Sequence, residues 1–184
     1  MKKILWVFLS IFLVCGCTIG PANTPTKAVE EYLDRYINND DVILAELDEY
    51  VQGNSAILDE HKDTYKEVLR KQYGDLKYEI KEETYNGDTA NVEVKITVYD
   101  LHTAQIEAQD YLTNHPEEFN DEDGNYNEKK FMKYRLDKMK DTTKTVDYTL
   151  NLTVQKNNNI WEVNQLSNDD LQKIHGIYNY DASE

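Results

Sequence analysis

The stretch LKYEIKEETYNGDTANVEVKITVY, residues 76–99, decides the fold. Leu76, Tyr78 and Ile80 alternate with Lys77, Glu79 and Lys81, and Val92, Val94, Ile96 and Val98 alternate with Glu93, Lys95 and Thr97. Successive side chains of a strand point to opposite faces, so each run is a strand with one apolar and one polar face. Asn86-Gly87 between the runs is the strongest short signal for a tight hairpin. Two such strands belong to an antiparallel sheet that is covered on one side.

A second hairpin of this kind follows later in the chain. Val146, Tyr148, Leu150, Leu152 and Val154 alternate with polar residues, KNNN (156–159) turns the chain, and IWEVNQL (160–166) returns it. Upstream of residue 76 the period is helical. Thr24 reads as an N-cap with Pro25 at the first helical position, and Ala28, Val29, Tyr32, Leu33, Tyr36 and Ile37 form one stripe. NNDD (38–41) ends that helix and caps a second, Val42–Val51. After QGNS (52–55) a third helix runs over Leu58–Tyr73, with Tyr65, Val68 and Leu69 on one face.

Between the hairpins the pattern predicts a helical insertion, about residues 101–141. Leu101, Ala104, Ala108, Tyr111 and Leu112 make one stripe, Phe131, Met132, Leu136 and Met139 another, and an acidic loop, Pro116–Asn127, joins them. As an added helical pair it is expected to be dispensable to a sheet-rich domain. Asp169–His175 reads as a short helix and residues 177–184 as a C-terminal tail. The fold class expected is α+β, with N-terminal helices packed on a curved antiparallel sheet and a helical insertion between two hairpins.

At the start of the chain, Lys2 and Lys3 precede Ile4–Val14, an apolar run broken by Ser10 alone. As a helix it would be about 16 Å long, half of the ~30 Å hydrocarbon core, which suits a signal-peptide core and not a membrane span. Val14-Cys15-Gly16-Cys17 follows, with the only cysteines of the chain. A C-x-C disulfide closes a strained ring, and two ligands with no nearby histidine make an incomplete metal site. The order resembles the lipobox of bacterial lipoproteins, although Cys15 stands where alanine or serine is more usual. The resemblance implies that residues 1–16 are a lipoprotein signal peptide and that Cys17 carries a diacylglyceryl lipid. Residues 17–24 then form a lipidated tether, and residues 25–176 form the domain. The chain would be anchored at the extracytoplasmic face of the cell membrane, with no free thiol left.

Three helices followed by long hairpins, from TPTKAVEEYLDRYIN (24–38) to NNNIWEVNQLS (157–167), resemble the NTF2-like (cystatin/ketosteroid-isomerase-like) superfamily, and within it small lipoproteins of monoderm bacteria. Trp161 and Val163 match the W-x-V that commonly closes the last strands of that superfamily. The resemblance implies a cone in which the first helix crosses a curved sheet. It also implies that enzymes of this type pair a carboxylate with a tyrosine in the cone pocket. Tyr36, Tyr78, Tyr148 and Trp161 are the expected pocket residues. No acid falls on the inward register of the long strands, so no catalytic residue is assigned. Trp161 is expected on the covered face, against the first helix near Tyr32 or Tyr36.

The net charge of −15 repels phosphate backbones and anionic headgroups, which excludes nucleic acid as a partner and a basic patch as a membrane anchor. An EF-hand register begun at Asp121 puts Tyr126 where glycine is needed, and one begun at Phe119 lacks the first ligand, so no calcium site is expected. His61, His102, His115 and His175 are scattered without metal-ligand spacing, and neither a Walker loop nor a nucleophile elbow occurs. No metal and no cofactor are expected. The leading expectation is a membrane-attached binding module for a small ligand or a cell-envelope protein. The alternative is a small-molecule acid–base enzyme of isomerase or dehydratase type.

Overall fold

The hairpin of residues 76–99 organises the computed structural model, which describes residues 24–179. Strand β1 (Lys77–Asn86) pairs antiparallel with β2 (Thr89–Tyr99), β2 with β3 (Thr145–Asn157), and β3 with β4 (Ile160–Val163), giving one open sheet of order β1-β2-β3-β4. The described residues also form helices α1 (Pro25–Ile37), α2 (Asp41–Gly53), α3 (Lys62–Gly74), α4 (Leu101–Asn114), α5 (Glu128–Asp141) and α6 (Asn168–Ile174). The class is α+β. The expected signal peptide (1–16), Cys17 and the rest of the tether up to Asn23 lie outside the described residues.

The two tight turns differ in chemistry. Asn86 pairs with Thr89, so Gly87 and Asp88 form the first turn, and only Gly87 takes a positive φ, 64°. Glycine at the first central position is the II′ requirement, so the turn sits one residue beyond the Asn-Gly pair that signalled it. In the second, Asn157 pairs with Ile160 and both central residues have positive φ, 50° at Asn158 and 66° at Asn159. That is the I′ form, which asparagine tolerates.

Val92, Val94, Ile96, Val98, Tyr148, Leu150, Leu152 and Val154 are buried on one face of the sheet. On the other, Lys95, opposite Thr149, reaches diagonally to Asp147 with Nζ 2.7 Å from the carboxylate. One side is covered and the other wet, as the alternation requires. β1 departs from it. Between Ile80, opposite Val94, and Glu83, opposite Val92, the register shifts by a bulge. An extra residue in one strand reverses which side chains face inward. Beyond the bulge, Glu83 and Tyr85 share the covered face with Val92 and Ala90.

Helix α1 lies across the covered face and touches every strand. Thr24 Oγ1 accepts the Lys27 N–H at 3.1 Å and Pro25 opens the helix, which meets the capping expectation. Two bonds set its direction. Glu83 accepts the backbone N–H of Thr26 at 2.8 Å near the hairpin tips, and Asp34 accepts the Tyr78 hydroxyl at 2.9 Å toward the other end. Burial opposes ionisation of Glu83, but hydrogen bonds from Thr26 and Tyr85 outweigh it and hold the carboxyl below its usual range. An acid therefore does sit on the inward register of a long strand, and it caps a helix.

The insertion is no appendage. Tyr99 pairs with Thr145 and the Asp100 N–H donates to Lys144 O at 2.9 Å, so the flanking strand ends are adjacent. But Leu101, Ala104, Met132, Leu136 and Met139 belong to the main core, and α5 packs on α3. Only the far end, around Ala108, Phe119 and Phe131, forms a separate cluster. The start of the expected tail is also packed: Ile177 and Tyr178 lie against the core.

Candidate functional site

The four aromatic residues expected to share a pocket stand in separate surroundings. Tyr36 is buried between α1 and α3, its ring edge-on to Tyr73 with centroids 5.0 Å apart. Tyr78 is half-buried at the seam of β1 and α1, and burial and the Asp34 carboxylate push its hydroxyl up to about 12. Tyr148 is buried under the C-terminal residues, its hydroxyl donating to Tyr178 O at 3.3 Å. Trp161 lies on the covered face beside Tyr32 of α1, while Tyr36 belongs to the interior cluster.

Tyr36 leads to an aromatic chain that the sequence did not reveal. Tyr73 of α3 contacts His175, which follows α6, with its hydroxyl 2.7 Å from Nε2, and the Tyr50 ring of α2 packs on the imidazole at 4.6 Å. These groups, with Ile43, Leu47 and Glu46, line a cavity of about 60 Å³. Such a space takes a water or two, far less than the ~300 Å³ at which ligand sites begin. His175 is 1% exposed, and burial alone lowers its pKa from 6.5 to about 3. Its Nδ1 has no hydrogen-bond partner, so the ring is neutral and a proton added there would be unsolvated.

Two further contacts lock this corner. The Gln72 amide donates to Tyr99 O and accepts from Tyr99 N, both at 3.0 Å, as a strand neighbour would. Gly176, at φ 69°, sits where a Cβ would overlap Gln72 Nε2 and Tyr99 O, so only glycine lets the chain close over the pair.

A pH dependence follows from His175. Its folded pKa lies below its unfolded value, so below about pH 6.5 the unfolded chain binds a proton that the folded chain refuses. Its contribution to stability is full above pH 6.5 and is lost as the pH falls toward 3. Between pH 6 and 5, before most carboxylates titrate, denaturant unfolding is expected to show a loss approaching about 1.4 kcal/mol per pH unit. His175→Gln should flatten that slope. An unchanged slope in the variant would mean that the imidazole titrates freely.

A roomier concavity lies elsewhere. Between α1 and the edge strand β4, Ala28, Glu31, Tyr32, Arg35, Trp161 and Val163 border an open groove of about 390 Å³. The Trp161 indole forms its inner end, edge-on to Tyr85 at 5.8 Å, with Lys156 Nζ 5.6 Å from the ring centre. Among the described residues no strand pairs with the outer edge of β4, so backbone donors and acceptors face outward beside the groove. The groove combines aromatic surface, one cation at Arg35 and two carboxylates, Glu31 and Glu162.

Among the described residues no cluster of histidine, cysteine and carboxylate side chains could hold a metal ion, and no helix is long and apolar enough to cross a membrane. The acidic loop holds itself together: Asp121 Oδ1 accepts the N–H groups of Asp123 and Asn125 at 3.0 and 2.8 Å. No family model, curated protein or solved structure matches this chain.

Proposed function

We propose that this chain is a bacterial lipoprotein held at the extracytoplasmic face of the cell membrane by a lipid on Cys17. Its domain is NTF2-like and binds a small ligand or a cell-envelope protein in the groove between α1 and β4. A helix laid across an antiparallel sheet supports the family assignment. The observation that carries the binding reading is where the free volume lies. Under the sheet, Val29, Leu33, Leu69, Val94, Ile96 and Leu150 are 0% exposed and fill the space an enzyme of this type would leave for substrate. The groove at the edge is open, and its volume falls within the ~300–1,000 Å³ range of ligand sites.

The two halves of the proposal are tested separately. Cys17→Ser removes the thiol on which this reading places the lipid, so metabolic labelling with a fatty acid should be lost, and continued labelling would overturn the anchor. For the groove, a photo-crosslinking side chain at Glu31 in intact cells should trap a partner, and the same group at Lys133 on α5 should not. Arg35→Glu should abolish the Glu31 adduct. No adduct, or equal adducts at both positions, would overturn the groove as the site.

A further inference from the structure

We infer that the end of the sheet carrying both hairpin turns seats on the phospholipid surface that holds the lipid anchor, through Tyr85 and Ile160. The inference rests on the acylation of Cys17 proposed above.

The direction of α1 carries the argument. Its first turn is bonded to Glu83, three residues before the β1–β2 turn, and its later residue Asp34 to Tyr78, far down the same strand. The chain therefore enters the domain at the hairpin-tip end. Cys17 precedes Thr24 by seven residues, which span at most about 25 Å even when fully extended. A lipid on Cys17 holds this end at the membrane. The opposite end, where Thr143 leads into β3, is further by the length of that 13-residue strand, about 40 Å.

What the tip end presents fits an interface. Tyr85 is 56% exposed although it occupies the covered register, two residues nearer the turn than Glu83, which meets the first turn of α1. Ile160 is 38% exposed at the same end, on the register opposite to that of Trp161, whose ring meets that of Tyr85. Tyrosine suits the headgroup level, where its ring meets acyl chains and its hydroxyl meets water. Two such side chains would hold a free protein too weakly to matter. A short tether makes the contact intramolecular, and an effective concentration near millimolar lets a weak contact persist. Glu82, Glu83, Asp88 and Glu162 lie at the same end, so the contact suits zwitterionic lipid.

The experiment uses the acylated mature protein in phosphatidylcholine vesicles. With Cys17 blocked by its lipid, a single spin label can be placed at Asn86→Cys beside the first turn or at Thr143→Cys at the far end. Collisions with a water-soluble nickel chelate should fall at position 86 on vesicle binding and stay unchanged at 143. Adding Tyr85→Ser and Ile160→Ser, both at exposed positions, should restore access at position 86 while the melting temperature confirms folding. Equal access at both positions in protein that carries its lipid would overturn the seating and leave the anchor standing. Protection at position 86 that survives the double substitution would overturn the role of the two side chains. Mature protein without the lipid mass would instead remove the anchor on which the inference rests.

Discussion

Replacing Leu101–Met139 by a short Gly/Ser linker is expected to abolish cooperative unfolding. Geometry alone would permit the excision, because Tyr99 and Thr145 are paired and the linker would have almost no distance to cross. Energetics forbids it. The insertion places Leu101, Met132, Leu136 and Met139 in the main core. At about 1.5–3 kcal/mol for each fully buried side chain of this size, their loss removes roughly 6–12 kcal/mol. That is comparable to the 5–15 kcal/mol by which domains are stable. Urea unfolding followed by circular dichroism tests this, and a sharp transition in the shortened chain would show the helical pair to be an accessory. Leu136→Ala is the graded version, expected to cost about 2–5 kcal/mol because Leu136 is fully buried.

Trp161→Ala is expected to cost about 3–5 kcal/mol. The indole is 6% exposed, and it joins the edge strand β4 to α1 and, through the Tyr85 ring, to the far edge strand β1. Ala90, opposite both Tyr85 and Val154, is small enough to let the two rings approach across the sheet. Without Trp6, which the proposed processing removes, Trp161 is the only tryptophan. Its emission should be blue-shifted and weakly quenched by iodide in the folded protein. Emission like that of indole in water, with a melting temperature unmoved by the substitution, would contradict the packing of β4 under α1. The same substitution opens the inner end of the groove, so it should also weaken the Glu31 adduct. Loss of the adduct by Arg35→Glu, which leaves the core alone, separates that effect from unfolding.

Much of this protein was determined along the chain itself. The alternation in residues 92–98 and 146–154 defines strands with a wet and a dry face, because side-chain direction in a strand has period two. Thr24-Pro25 and the stripe from Ala28 to Ile37 define α1 and its buried face, and the asparagines at 157–159 define a turn that needs positive φ twice. These are local consequences of backbone geometry, so a short window of residues suffices to read them. The tertiary structure decided what depends on distant partners. Glu82 and Glu83 read alike, and only the bulge, set by pairing with β2, turns Glu83 inward to α1 and Tyr85 to the covered face. His175 meets Tyr73 across 102 residues, and Gln72 meets the Tyr99 backbone across 27. The insertion's stripes announced two amphipathic helices, but a stripe shows that a face is buried and not against what. Whether it covers its own partner or completes the core is settled by the packing of α5 on α3, a contact between residues far apart in the chain.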